Sequence, residues 1–105
     1  MAQFEAVAYA RYSSDRQQES SIVVQLAEIR RFCERHSINL VREYIDEAQT
    51  GTNANRKSFQ EMIQDAQKRE FRFVIVHRME RWARKVAETR ARDWFLREKQ
   101  TYLHF

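Results

Sequence analysis

A serine, several arginines and two acids are the side chains in this sequence best suited to chemistry on a phosphate group. Ser13 stands in the polar segment 11–17, and the other side chains stand in this segment or in two later ones, 46–56 and 78–84. Together with Ser13 they are Arg11, Arg56, Arg81, Arg84, Asp46 and Glu80. Phosphoryl transfer requires a nucleophile, positive charge directed at the non-bridging oxygens and a proton donor for the leaving oxygen. These residue types therefore predict phosphoryl transfer in which arginines supply the charge without a metal.

Arginine dominates the basic residues of the chain. Fifteen of the nineteen Lys and Arg residues are arginine, and the formal net charge is +4. The planar guanidinium matches two phosphate oxygens at once, whereas a lysine ammonium offers a single point charge. Net charge alone is weak support, because many basic proteins bind no nucleic acid. The arginine bias favours a phosphate-bearing partner, and the placement of the arginines must decide.

Apolar periodicity predicts four strands and three helices that would position the polar segments. The strands are expected at residues 4–10, 38–45, 71–76 and 102–105. The first helix is capped by Ser20 or Ser21, and its apolar stripe contains Ile22, Leu26, Ile29 and Cys33. The second helix is expected over residues 57–69. The third helix is expected to carry Ala87, Ala91, Trp94 and Phe95.

This alternation of strands and helices determines the expected fold class. Helices of this length between strands imply right-handed crossovers and a parallel sheet covered on both faces. We therefore expect an α/β fold, a three-layer sandwich with a central, mostly parallel four-stranded sheet and helices on both faces. In such sheets ligands bind beyond the carboxyl ends of the strands. Because the three polar segments follow those ends, they are expected to converge in space.

Several function classes are disfavoured by what the sequence lacks. Cys33 is the only cysteine, so no disulfide framework or cysteine-rich zinc site is expected, and its helical spacing favours a buried thiol. His36, His77 and His104 have no metal-ligand spacing. The single glycine, Gly51, leaves no glycine-rich phosphate loop for a nucleotide-binding domain. No stretch has transmembrane length and no signal peptide is apparent, so we expect a cytoplasmic protein without membrane contact.

Three separated motifs resemble those of the serine recombinase (resolvase and invertase) family, most closely its large serine integrase and transposase branch. Residues 9–17, YARYSSDRQ, are similar to the nucleophile motif, and residues 20–25, SSIVVQ, to the start of its first helix. Residues 43–48, EYIDEA, with 55–59, NRKSF, are similar to the second motif. Residues 74–84, VIVHRMERWAR, are similar to the third. Three motifs in the family's order are far harder to produce by chance than one.

The resemblance implies site-specific DNA recombination, in which DNA strands are cut and rejoined through a 5′-phosphoserine bond at Ser13. Arg11, Arg81 and Arg84 would bind and neutralise the scissile phosphate, with Arg56 supporting them. The further site residues that match are Gln17, Gln25, Asp46 and Glu80. The covalent bond conserves the phosphodiester energy, so the resemblance implies no ATP, metal or other cofactor.

The chain also departs from the family's pattern. Glu80 stands where the family usually has aspartate, and Trp82 where phenylalanine or a smaller residue is usual. Residues 1–105 are expected to form one catalytic domain that stops before the family's dimerisation helix and DNA-binding domain. This fragment alone is expected to be inactive. The full-length parent would bind double-stranded DNA as a homo-oligomer, a dimer that forms a tetramer in the synaptic complex.

Two other functions remain open from the sequence. The first is a non-catalytic or degenerate module of the same fold, for which Glu80 and the length of the chain are the best arguments. The second, less favoured, is a metal-dependent nuclease in which Asp46, Glu47 and Glu80 hold Mg²⁺ and water attacks the phosphate. Ser13 could also be a turn serine, and Glu80 with Arg84 a solvated surface pair.

Overall fold

The computed structural model describes residues 4–13, 21–48, 57–77, 92–98 and 100–104, apart from the side chains of residues 12, 13, 47, 48 and 93–97. The elements are β1 (Glu5–Ser13), α1 (Ile22–Arg35), β2 (Asn39–Ala48), α2 (Lys57–Gln67), β3 (Phe73–His77), β4 (Asp93–Arg97) and β5 (Gln100–His104). The first five confirm the predicted order of strands and helices. Neither of the two described helices is long and apolar enough to cross a membrane.

All the described strands belong to one sheet, in the order β2-β1-β3-β5-β4. β1 pairs in parallel with β2 on one side and with β3 on the other. β5 pairs antiparallel with both β3 and β4. The carboxyl ends of β1, β2 and β3 therefore lie at the same edge of the sheet, as the α/β fold class predicts.

One face of the sheet is covered by α1. Three alanines of β1 point to this face, and their small side chains let the helix pack close to the strand. The buried cluster consists of Ala6, Ala8, Ala10, Leu26, Ile29, Phe32, Cys33, Ile38 and Ile75. Burial raises the pKa of the Cys33 thiol to about 11, so this thiol is protonated at neutral pH and the predicted buried cysteine is confirmed.

The opposite face of the sheet is covered by α2. The alternate residues of β1 point here, because successive side chains of a strand face opposite sides. The buried cluster consists of Val7, Tyr9, Tyr44, Phe59, Met62, Phe71, Val74, Val76 and Leu103. Tyr9 and Phe59 make an edge contact, with ring centroids 5.6 Å apart. The predicted arrangement of helices on both faces is thus confirmed.

Hydrogen bonds at both ends define the extent of α1. The Ser21 hydroxyl oxygen accepts a bond from the Val24 N–H at 3.2 Å, which confirms Ser21 as the N-cap. At the other end Ser37 has φ 55°, in the left-handed region. The Ile38 N–H donates to the Cys33 carbonyl at 2.9 Å, and the Ser37 N–H to the Glu34 carbonyl at 3.4 Å. This pair of bonds is the Schellman ending, in which glycine usually occupies the position of Ser37.

The prediction of a third helix through Trp94 and Phe95 is wrong, because both residues lie in β4. The sheet was predicted to have four strands, but the structure describes five, and β5 pairs antiparallel with both of its neighbours. Residues 94–96 are bulky and apolar, which favours a strand when a partner strand is available. Only two residues separate β4 from β5, and the first of them, Glu98, has φ 52°, as tight hairpins require. Ala87 and Ala91 lie outside the described residues.

β2 forms one edge of the sheet, and its pairing with β1 is interrupted by a bulge. Ala6 is opposite Leu40, but Val7 is opposite Arg42, so Val41 has no partner residue in β1. Val41 is exposed, and no described strand pairs with the outer side of β2. After the bulge the register continues without interruption to the end of both strands.

Candidate active site

The candidate site lies where the three parallel strands end. Ser13 is the last residue of β1 and is opposite Ala48, the last residue of β2. On the other side of β1, Tyr9 is opposite Val76, and β3 ends one residue later at His77. Adjacent strands are about 4.8 Å apart. The backbone of Ser13 is thus one strand spacing from the end of β2, in the strand that lies between β2 and β3.

The Gln25 side chain holds the backbone of β1 just before Ser13, the candidate nucleophile. Its side-chain Nε2 donates to the Arg11 carbonyl at 2.8 Å, and its Oε1 accepts from the Arg11 N–H at 3.2 Å. Gln25 is only 8 % exposed, so these bonds are shielded from water. α1 therefore holds the backbone of β1 two residues before Ser13.

Asp46 connects β1, β2 and α2. It is the register partner of Arg11, and its Oδ2 accepts a hydrogen bond from the Tyr9 hydroxyl at 2.7 Å. Its Oδ1 accepts from the Ser58 N–H at 2.9 Å, and Oδ2 also accepts from the Phe59 N–H at 3.0 Å. These are N–H groups of the first turn of α2, which have no partner within the helix. A carboxylate at this position also interacts favourably with the helix dipole.

A second buried amide at the same edge was not predicted from the sequence. The Gln100 side chain is 2 % exposed, and its Nε2 lies 2.9 Å from the Nδ1 of His77. When this amide donates, neutral His77 carries its proton on Nε2. The Gln100 Oε1 is buried without a hydrogen-bond partner in the described part of the chain. A lone glutamine near a strand start gives no sequence signal of this role, since its partner is twenty-three residues away.

Several predicted site residues lie outside the part of the chain that the structure describes. These are Gln17, Arg56, Glu80, Arg81 and Arg84, together with the side chain of Ser13. In sequence, Arg56 immediately precedes α2, and the segment with Glu80, Arg81 and Arg84 follows β3. The structure thus brings together Arg11, Gln25, Asp46 and the backbone of Ser13, and the convergence of the remaining arginines stays a prediction.

Of the three acids that the metal-dependent alternative requires, Asp46, Glu47 and Glu80, only Asp46 has a described side chain. Both Asp46 oxygens already accept hydrogen bonds. Among the described residues no group of three or more His, Cys, Asp or Glu could hold a metal ion.

Comparison with known proteins identifies one family. The family model described as "Resolvase, N terminal domain" matches residues 6–105. No match was found among curated proteins or among solved structures. The matched range includes the described strands and helices, apart from the first residue of β1, and all three polar segments that follow the parallel strands.

Proposed function

The chain belongs to the resolvase N-terminal domain family of serine recombinases, and from this premise we propose that it cuts and rejoins DNA strands through a 5′-phosphoserine bond at Ser13. The reaction serves site-specific recombination. Within the family the motifs favour the large serine integrase and transposase branch. The partner is double-stranded DNA in the cytoplasm, bound by a dimer that pairs into a tetramer for strand exchange.

The observation that most strongly supports the proposal is the position of Ser13 at the end of β1. β1 lies between the other two parallel strands, and Ser13 is its carboxyl-terminal residue. In open α/β sheets this is where ligands bind. A serine at this point can face a phosphate held by residues of the loops that follow all three strands.

Positive charge at this edge would come from arginines. Arg11 lies two residues before Ser13, and its backbone is held on the α1 side by Gln25. We assign Arg11, Arg81 and Arg84 to the scissile phosphate, with Arg56 in support. Guanidinium groups at fixed positions stabilise the charge that develops on the non-bridging oxygens in the transition state.

The proposed cleavage step is a displacement at phosphorus. The Ser13 oxygen attacks the scissile phosphorus and gives up its proton to a base or to solvent. The bond between phosphorus and the 3′ oxygen breaks, and that oxygen takes up a proton, with Glu80 or an arginine positioned by it near the leaving group. The products are a 5′-phosphoserine and a free 3′-hydroxyl. Rejoining is the reverse attack by a 3′-hydroxyl, which returns the Ser13 hydroxyl.

The remaining site residues would act by positioning. Gln25 holds the backbone of Arg11, and Asp46 holds the first turn of α2, which begins one residue after Arg56. Asp46 accepts three hydrogen bonds, which supports a structural carboxylate rather than a proton donor. Gln17, which follows Ser13 by four residues, is assigned to the same group by its place in the motif.

The test is a search for a covalent protein–DNA adduct. The protein is incubated with end-labelled duplex DNA carrying random nicks, and adducts are separated in denaturing gels with and without EDTA. Nicks trap the intermediate because the released strand end diffuses away. We expect an adduct in the unsubstituted protein that Ser13→Ala abolishes and EDTA leaves unchanged. Ser37→Ala, an exposed serine at the far end of α1, is the matched control and should form the adduct normally.

Each other outcome contradicts the proposal. An adduct that persists in Ser13→Ala would assign the nucleophile elsewhere. Cleavage that requires a divalent metal and leaves no adduct would favour the nuclease. Absence of both adduct and cleavage, with the protein folded and bound to DNA, would favour the non-catalytic module.

A further inference from the structure

A cleft lies at the end of the sheet opposite Ser13. It has a volume of about 890 Å³ and is bordered by the end of α2, the chain before β3 and the chain before β4. Phe73, the first residue of β3, is opposite Ala6 near the start of β1, seven residues before Ser13. At about 3.3 Å per residue the two ends are roughly 20 Å apart. The cleft is therefore separate from the candidate active site.

Three arginines line this cleft: Arg69, Arg72 and Arg92. All three are exposed, and none pairs with a carboxylate in the described part of the chain. The four described arginines of α1 and β2 behave differently, because each forms an ion pair. Those pairs are Arg30 with Glu43, Arg31 with Glu28, Arg35 with Glu98, and Arg42 with Asp65 and Glu70. Positive charge is thus left uncompensated by described residues at the cleft.

The backbone at each of these arginines is anchored. The Arg92 N–H donates to the His104 carbonyl at 2.7 Å, and the Arg72 N–H to the Glu5 carbonyl at 3.2 Å. The Arg69 N–H donates to the Ala66 carbonyl at 3.0 Å. Three guanidinium groups therefore extend from fixed points, which lowers the ordering cost of binding a ligand.

The floor of the cleft is apolar and partly aromatic. Ile63 and Ala66 of α2 and the buried Phe71 line it. His104, also part of the lining, is partly buried and stacks on Phe73, with ring centroids 4.9 Å apart and planes 24° apart. The lining as a whole is mixed, with five polar or charged side chains beside three apolar ones, and the volume is within the usual range of small-molecule sites.

We infer that this cleft binds a nucleotide, with its phosphates on the three arginines and its base against the apolar floor. The planar guanidinium group can donate two parallel hydrogen bonds to the oxygens of one phosphate group. The absence of a glycine-rich loop does not conflict with this site, because guanidinium groups here take the place of backbone N–H groups. The nucleotide comes from one of two sources, a free nucleoside polyphosphate or the phosphorylated end of a single DNA strand. The inference does not depend on strand cleavage at Ser13.

The experiment is isothermal titration calorimetry on the purified chain. The probes are ATP, inorganic triphosphate, adenosine and a short 5′-phosphorylated oligothymidine. We expect saturable binding of ATP or of the oligonucleotide, weakened at least about tenfold by Arg72→Gln and by Arg92→Gln, because each removes charged hydrogen bonds. Arg31→Gln removes the same charge from α1 and should change affinity less than about twofold, since distant exposed charges are screened. Circular dichroism checks that each variant is folded.

The four probes distinguish a free nucleotide from a DNA end, and they also show which results contradict the inference. Arginine-dependent binding of ATP identifies a free nucleotide, and arginine-dependent binding of the oligonucleotide alone identifies a DNA end. Binding of neither, or binding unaffected by Arg72→Gln and Arg92→Gln, overturns the inference. Inorganic triphosphate that binds as tightly as ATP also overturns it, because the apolar floor would then contribute nothing. A failed adduct experiment with Ser13 would leave each of these results unchanged.

Discussion

Gln25 and Asp46 act on the candidate site by holding backbone rather than by presenting reactive groups. Gln25 bonds to both polar groups of the Arg11 backbone, and Asp46 bonds to two N–H groups of α2. A buried amide that bonds to the backbone of a strand in this way is costly to remove, because the N–H and carbonyl groups are left without hydrogen bonds. The backbone geometry two residues before Ser13 therefore depends on Gln25, a side chain fourteen residues from Arg11 in the sequence.

Replacing Gln25 with leucine is expected to lower the free energy of unfolding by about 1–3 kcal/mol. Leucine has a similar volume but leaves the Arg11 N–H and carbonyl without their partner. Gln60→Leu, on the exposed side of α2, makes the same chemical change where no such bond exists and should stay within about 0.5 kcal/mol of the parent. Urea unfolding compares the three proteins. Equal stability of the two variants would mean that the Gln25 bonds contribute nothing net.

At this scale the sequence could predict residue types but not their bonds. Gln25 and Asp46 were predicted from the motifs, whereas the bond from Tyr9 to Asp46 spans thirty-seven positions and has no local signal. Gln100 was missed for the same reason, since only the pairing of β5 with β3 brings it to His77. Side-chain contacts of this kind depend on tertiary pairing, which single-sequence periodicity does not encode.

The strands and helices from β1 to β3 could be predicted from the sequence, whereas β4 could not. From β1 to β3 each strand and helix has a strong apolar period, and the three strands pair in parallel. Their predicted order is confirmed. Periodicity predicts a helix through Trp94 and Phe95, although an apolar pair is compatible with either period over a short stretch. What selects the strand is β5, two residues further along, which provides the hydrogen-bonding partner. Pairing of this kind overrides local propensity.

The C-terminal end of α1 offers a stabilising substitution. Ser37 has φ 55°, which is unfavourable for a residue with a Cβ and free for glycine. We expect Ser37→Gly to raise the free energy of unfolding by about 0.5–1 kcal/mol, after the larger chain entropy of glycine in the unfolded state is subtracted. Ser37→Ala keeps the Cβ and should change little. Thermal unfolding by circular dichroism would show a higher Tm for glycine alone, and a lower Tm for it would contradict the Schellman ending.

On the scale of the whole molecule, one exposed carboxylate connects the two halves of the chain. Glu98, in the hairpin between β4 and β5, accepts hydrogen bonds from His36 at 2.6 Å and from Arg35, both at the end of α1. These contacts span more than sixty positions. The bond from His36 and then that from Arg35 lower the pKa of Glu98 below its ordinary value.

This lowered pKa predicts an acid-sensitive contribution to stability. A carboxyl group with a lower pKa in the folded state stabilises the fold above its unfolded pKa of about 4.5, and this stabilisation is lost as the pH falls through the folded pKa. We expect Glu98→Gln to be less stable than the parent at pH 6, with the difference shrinking below pH of about 4. Glu61→Gln, exposed on α2, should show no such change. Urea unfolding at pH 6 and below a pH of about 4 measures the difference in the free energy of unfolding between each variant and the parent. A difference for Glu98→Gln that is the same at both pH values would contradict the linkage.

The unpartnered Val41 has a consequence for how chains meet one another. A regular outer edge on β2 would offer a continuous row of N–H and carbonyl groups on which another chain could add a strand. The extra residue breaks that row, and charged Arg42 and Glu43 follow it directly. Fibril growth needs flat, in-register stacking of identical segments over several residues. The irregular edge therefore makes the folded molecule a poor template for amyloid-like addition, although β2 is one of the longest strands in the sheet.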